Sequence, residues 1–151
     1  MEIERKWLID PSRVNELKKI SFAHEKVEQY YLNDKNDSWI IRLRKAGSDC
    51  FITLKSKGLL SREELELHIC KKDFTEFIKH AKTSIKKTRY VIELSTEILS
   101  TLEMDVYDDY DFVTGEVEFD SEEEANDFVA PDWCIKDITY DPTYKNVNLA
   151  K

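Results

Sequence analysis

Charged residues of like sign recur at alternate positions of this chain, and these are the residues whose types and spacing could do chemistry. In the first set, Glu2-Ile3-Glu4-Arg5-Lys6, a strand would place Glu2, Glu4 and Lys6 on one face. Two carboxylates this close repel each other unless a cation lies between them, and a divalent metal is the usual cation. Taken alone, such a motif fits a solvated edge strand better than a metal site.

The same pattern recurs along the rest of the chain. Basic side chains follow at Arg42, Arg44, Lys55, Lys87 and Arg89, and paired acids at Glu64, Glu66, Glu103, Asp105, Glu116 and Glu118. An exposed antiparallel sheet also has a polar face, on which cross-strand Glu–Lys pairs are mild stabilisers. However, like charges two residues apart repel on a flat exposed face. Their repetition therefore favours strands that turn this face toward a ligand.

The elements that position these residues are mostly strands. Period-two alternation predicts strands at 2–8, 28–33, 38–45, 50–56, 63–69, 86–94, 102–107, 113–119 and 135–140. Helices are predicted from Asp10-Pro11 to Ile20, over about 73–83, and from Ser121 to Pro131. Three helices with apolar faces must pack on the apolar side of the strands. If they cover the outside, a closed sheet turns its charged face inward.

A charged lumen of this kind suits a polyphosphate chain and a metal. The basic wall, formed by Lys6, Arg42, Arg44, Lys55, Lys87 and Arg89, matches the charge density of phosphates. The acidic wall, formed by Glu2, Glu4, Glu64, Glu66, Glu116 and Glu118, offers the oxygen ligands that Mg²⁺ or Mn²⁺ prefers. A metal between the two walls can activate water for in-line attack. We expect Glu4 and Lys6 to contribute most directly to catalysis.

Composition limits the other classes of function. The 151 residues suit one domain, 1–151, and the net charge of −8 argues against a nucleic-acid partner. The chain has 3 glycines and no glycine-rich phosphate loop, so side chains must bind any phosphate. Three cysteines without C-x-x-C spacing favour a reducing cytoplasm. Because no signal peptide or long apolar run is present, we expect no membrane partner.

The chain resembles the CYTH superfamily, the triphosphate tunnel metalloenzymes, from end to end. The matching motifs are Glu2-Ile3-Glu4-Arg5-Lys6, Trp39 to Arg44, Thr53-Leu54-Lys55, Arg62 to Glu66, Lys87-Thr88-Arg89, Asp105-Val106-Tyr107, Glu116 to Phe119, and the ending from Asp137 to Ala150. The resemblance implies an α+β, mostly β fold: an eight-stranded antiparallel closed barrel with a few helices packed outside. It also implies triphosphate bound by basic side chains, with one or two divalent metals on glutamates. The chain departs from the superfamily at two places. Lys145 either adds a basic contact or lies on the surface, and we expect the segment Phe112 to Gly115 to shorten or loosen one strand.

The predicted function is metal-dependent hydrolysis of a small-molecule triphosphate, with inorganic tripolyphosphate as the preferred substrate. Members of the superfamily also hydrolyse thiamine triphosphate or nucleoside triphosphates, and one branch cyclises ATP to cyclic AMP. An adenylate cyclase would need groups that recognise the base, and no clear set of them is present. A binding module that holds polyphosphate or a nucleotide without turnover is the third reading. The sequence leaves monomer and homodimer both open.

Overall fold

The fold is built mainly from antiparallel strands, and the computed structural model describes residues 1–95 and 100–151. The strands are β1 (Glu2–Ile9), β2 (Ala23–Tyr31), β3 (Trp39–Ala46), β4 (Asp49–Ser56), β5 (Ser61–Arg62), β6 (Glu64–Ile69), β7 (Thr83–Ser95), β8 (Ser100–Tyr107), β9 (Val113–Glu118) and β10 (Cys134–Asp137). The helices are α1 (Val14–Ile20), α2 (Lys71–Phe77), α3 (Glu122–Asp127) and α4 (Asn146–Leu149), with 3₁₀ turns at Pro11–Arg13, Ile78–His80 and Pro142–Tyr144.

The strands form a nearly closed barrel in the order β1-β9-β8-β7-β2-β3-β4-β6. The short strand β5 directly precedes β6 and closes the barrel by pairing antiparallel with β1. The paired residues are Glu2 with Arg62 and Ile3 with Ser61. The strand β10 pairs with the other end of β1, from Trp7 to Ile9. The predicted eight-stranded antiparallel barrel is confirmed, with a closing ladder limited to β5.

Helices cover the apolar outer face of the barrel, as predicted. Val14 and Leu17 of α1 belong to the same buried cluster as Trp7 of β1 and Met104 of β8. On another side, Phe74 of α2 packs with buried side chains of β3 and β4. Because alternate residues of a strand point to opposite faces, this outer packing directs the charged residues into the lumen.

The segment that we expected to loosen a strand forms β9 without interruption. Gly115 lies in the middle of β9, where a Cβ would stand 2.8 Å from Cδ1 of Ile9 and 3.0 Å from Cδ2 of Leu102. The glycine thus leaves room for two core side chains. β9 keeps its full pairing with β1 from Glu4–Glu118 to Leu8–Thr114.

Several boundaries differ from the sequence prediction. β2 begins at Ala23, five residues before the predicted start at 28, because its first four residues pair with β7 while both faces stay exposed. Such a segment has no buried face and therefore no alternating pattern. The second helix ends at Phe77 rather than near 83, since Ile78–His80 is a 3₁₀ turn and β7 begins at Thr83. The short C-terminal helical turns were not predicted.

The other predicted boundaries differ by a few residues or are correct. The third helix is capped by Ser121, whose Oγ accepts from the Glu124 N–H, but it ends at Asp127 before reaching Pro131. The strand predicted at 135–140 is present only as β10. No helix of the described residues is both long and apolar enough to cross a membrane.

Candidate active site

The barrel encloses a cavity of about 740 Å³ lined by charged side chains. Eleven of the twelve predicted site residues lie on its wall: Glu2, Glu4, Lys6, Arg42, Arg44, Lys55, Glu64, Glu66, Arg89, Glu116 and Glu118. Six of the eight barrel strands, β1, β3, β4, β6, β7 and β9, supply these eleven residues, so the site depends on closure of the barrel. The structure thus gathers residues that are up to 116 positions apart in the chain.

Arg62 links the two carboxylates of the N-terminal motif. Its Nη2 donates hydrogen bonds to Oε1 of both Glu2 and Glu4, at the ladder where β5 closes the barrel onto β1. Lys55 adds a second cation, with its Nζ 3.2 Å from Glu2 Oε1 and 3.6 Å from Glu64 Oε2. Sequence analysis did not assign Arg62 to the site, although it opens the motif that contains Glu64 and Glu66.

A second contact between carboxyl groups joins Glu4 of β1 to Glu116 of the neighbouring strand β9. Burial raises the pKa of Glu4 to about 7, and the negative charges of Glu116 and Glu2 add to this effect. Burial acts the same way on Glu116, but Lys6 and Arg89 outweigh it and hold the pKa of Glu116 well below its usual range. Glu4 is therefore the carboxyl of this group that most needs another positive charge nearby to be ionised at neutral pH.

The acidic side chains of the cavity do not form a compact metal site. Within residues 1–95 and 100–151, no three His, Cys, Asp or Glu side chains lie together in an arrangement that could hold a metal ion. Arg62 and Lys55 are instead the cations that contact Glu2, Glu4 and Glu64. One buried acceptor, Glu64 Oε2, has no hydrogen-bond partner among the described residues, although Lys55 Nζ lies 3.6 Å from it.

Lys6 is held as a positively charged donor. Its Nζ donates to the Tyr144 carbonyl at 2.7 Å and lies 3.3 Å from Glu116 Oε1, while its backbone N–H donates to Thr139 Oγ1 at 3.0 Å. Burial alone would lower the pKa of Lys6, but neighbouring negative charge, including that of Glu116, raises it above its ordinary value. At neutral pH Lys6 is thus an ammonium that can bind an anion rather than accept a proton.

Two adjacent arginines on β3 form the strongest positive feature of the cavity. Arg42 is nearly fully buried, with its Nη2 3.4 Å from Thr53 Oγ1 and 3.7 Å from Glu66 Oε2. Burial, together with the charge of Arg44, lowers the pKa of Arg42 to about 10. The Nε atoms of both arginines are buried, and within the described part of the chain neither has a hydrogen-bond partner. Buried unpaired donors are costly, so this wall is arranged to receive an anion.

Lys87 is the one predicted binding residue that does not reach the cavity. Its fully buried Nζ lies 2.6 Å from Asp105 Oδ2. The same carboxylate accepts from Arg89 Nε at 2.8 Å and from Arg89 Nη2 at 2.9 Å. Although burial opposes it, Arg89 and Lys87 together lower the pKa of Asp105. Asp105 therefore fixes Arg89 on the cavity wall, with Lys87 behind it.

The C-terminal segment completes the wall with residues that sequence analysis did not place in the site. Tyr144, Lys145 and Asn146 all line the cavity. Lys145 donates from Nζ to the Gly58 carbonyl at 2.7 Å, which ties this segment to the loop between β4 and β5. From the sequence, Lys145 was a departure from the superfamily for which a basic contact and a surface position were both open, and the structure places it on the cavity wall.

Comparisons with known proteins agree with the fold. A family model described as the CYTH domain matches residues 1–141. An inorganic triphosphatase of Nitrosomonas europaea is 38% identical over 155 residues, covering 99% of this chain and 96% of the relative. An inorganic triphosphatase of Acetivibrio thermocellus is 28% identical, covering 99% and 93%. The crystal structure of an inorganic triphosphatase matches with a TM-score of 0.66 and 32% identity, covering 99% and 94%.

Proposed function

Because this chain belongs to the CYTH domain family, we propose that it hydrolyses triphosphates in the barrel cavity with a divalent metal, and that inorganic tripolyphosphate is its substrate. The observation that carries the proposal is the pair of buried Nε donors on Arg42 and Arg44, which have no hydrogen-bond partner among the residues that the structure describes. An anion of high charge density would satisfy both donors and offset the repulsion between the two guanidinium groups. The relatives named inorganic triphosphatases support the choice of substrate.

The basic residues bind and orient the phosphates in this proposal. Arg42, Arg44 and Arg89 present guanidinium groups from β3 and β7, and Lys6 presents its ammonium from β1. Such fixed donors stabilise negative charge as it develops on the phosphate oxygens, without reorganisation at the moment of reaction. Lys87 serves this wall indirectly, because it shares Asp105 with Arg89.

The acidic residues would hold the metal, Mg²⁺ or Mn²⁺. Glu2, Glu4, Glu116 and Glu118 come from the paired strands β1 and β9, and Glu64 and Glu66 from β6 complete the proposed ligand set. Two observations fit a cation at this place. The Arg62 guanidinium already bridges Glu2 and Glu4, and the buried Glu64 Oε2 lies 3.6 Å from Lys55 Nζ without a hydrogen-bond partner among the described residues. When bound, a divalent ion would neutralise phosphate charge and activate a water.

The substrate proposal is tested with a panel of triphosphates. The protein is incubated with tripolyphosphate, ATP or thiamine triphosphate, each with Mg²⁺, Mn²⁺ or chelator, and the products are separated by chromatography. We expect phosphate and diphosphate from tripolyphosphate in the presence of metal, and a lower rate with the two larger substrates. Cyclic AMP from ATP would instead identify a cyclase. Tight binding without any product would identify a binding module.

A further inference from the structure

The strand β6 has one unpaired edge in the part of the chain that the structure describes. On one side β6 pairs with β4, from Lys55–Glu64 to Cys50–Ile69, and it ends the path of the sheet. The barrel closes through β5 rather than β6. Leu65 and Leu67 on its outer face are 54% and 57% exposed. A flat edge with exposed apolar side chains is a template for pairing with another strand.

The backbone geometry shows which groups face this edge. The Ser56 N–H donates to the Glu63 carbonyl at 2.9 Å. Every second residue from Glu63 onward, namely Leu65, Leu67 and Ile69, therefore directs its backbone N–H and C=O toward β4. By the alternation of an antiparallel ladder, Glu64, Glu66 and His68 direct their N–H and C=O groups toward the free edge. A partner strand must therefore form its hydrogen bonds with these three residues.

The side chains of β6 complement those of a second, antiparallel β6. If Leu67 lies on a two-fold axis, it contacts Leu67 of the second copy, and Leu65 faces the second copy's Ile69. On the inner face, Glu66 then faces the second copy's His68, which forms a favourable polar pair. With Glu66 on the axis, two carboxylates would face each other. A shift of one residue would set inner against outer faces.

We infer that this protein self-associates through β6, with β6 of a second copy paired antiparallel to it about Leu67. The side-chain pairs select this register, and the exposed Leu65 and Leu67 supply apolar surface that becomes buried in it. The interface is isologous, because the same strand serves both copies. Its apolar contacts, Leu65 and Leu67, lie on the outer face, whereas Glu66 also lines the cavity.

Sedimentation velocity of the full chain over a concentration series tests the inference. Wild type forms a concentration-dependent dimer, and Leu67→Lys weakens the dimer at least about tenfold because two ammonium groups would meet at the axis. The matched control is Ile135→Lys, since Ile135 is 56% exposed on β10, the strand at the other end of the sheet. Circular dichroism confirms that each variant is folded. A monomeric wild type, or dissociation by Ile135→Lys alone, would overturn the inference.

A charge swap tests the register. Glu66→Lys and His68→Glu each weaken the dimer, because each places like charges or an unfavourable pair across the axis. The double variant Glu66→Lys/His68→Glu restores it, since Lys at 66 then faces Glu at 68 of the second copy. If the double variant stays as weak as the single variants, β6 does not pair in this register and the inference is wrong.

Discussion

The Arg62→Gln variant tests how the acidic side of the cavity is held together. Arg62 contacts both Glu2 and Glu4, and the side chains of the three residues are only 9%, 14% and 21% exposed. Removing one partner of a fully buried ion pair costs about 3 to 5 kcal/mol. Because these groups retain some solvent contact and Lys55 still lies 3.2 Å from Glu2, we expect a smaller loss, about 2 kcal/mol.

The expected loss is measured by thermal unfolding without divalent metal. For a protein of this size, about 2 kcal/mol corresponds to a fall in Tm of roughly 4 to 8 °C. The control is Arg13→Gln, because Arg13 forms an exposed ion pair with Glu16 on the surface. Surface pairs contribute little, so this variant should unfold near the wild-type temperature.

Mn²⁺ should rescue the Arg62→Gln variant. If Glu2 and Glu4 hold the metal, the ion replaces the charge that Arg62 supplied, and no guanidinium competes with it. We expect Mn²⁺ to bind the metal-free variant about tenfold more tightly than it binds wild type, a difference of about 1.4 kcal/mol. Titration of free Mn²⁺ by electron paramagnetic resonance, and the Mn²⁺-induced rise in Tm, give two readings. Equal Mn²⁺ affinity and equal rises in both proteins would refute this account of the acidic wall.

Three further outcomes follow from the structure. Lys87→Met and Arg89→Met should both lower stability, by about 2 to 3 kcal/mol, because each leaves the buried Asp105 with one cation. Only Arg89→Met should also raise the KM for tripolyphosphate, since Arg89 lines the cavity and Lys87 does not; steady-state kinetics separate the two variants. Gly115→Ala should cost about 1 to 3 kcal/mol in urea unfolding, because a Cβ there overpacks the core. Burial raises the pKa of the Cys134 thiol to about 12, so iodoacetamide should modify exposed Cys70 first, as peptide mass mapping will show.

The sequence predicted the barrel because its strands carry a one-sided pattern. Alternation of charged and apolar residues identifies both the strand and the face that turns inward, and the helices explain why the apolar face is covered. The pattern is lost where both faces are exposed, as in the first residues of β2 from Ala23. The alternating pattern also does not show where a strand is interrupted. In the sequence β5 and β6 look like one segment, and only the structure shows that Arg62 of β5 pairs with β1.

The sequence predicted which residue types form the candidate site and which strand face carries them. It did not predict which of these side chains contact one another. Lys87 has the same spacing as the other basic residues, and only the packing of Asp105 shows that it lies behind the wall. Arg62 lacks a basic partner two residues away, so the doublet pattern missed it. The role of Tyr144 as an acceptor for Lys6 arises from a backbone carbonyl, which no pattern of side chains can indicate.

Release of phosphate from tripolyphosphate by Glu4→Gln tests the central claim most directly. The assay follows phosphate by ³¹P nuclear magnetic resonance with Mn²⁺, with Mg²⁺ and with chelator, and compares wild type with Glu123→Gln, a change of the same kind at an exposed position on α3. We predict that wild type and Glu123→Gln release phosphate only with metal, and that Glu4→Gln loses at least about a hundredfold in rate. Metal-dependent release by Glu4→Gln at the wild-type rate would contradict the assignment of this cavity as the catalytic site.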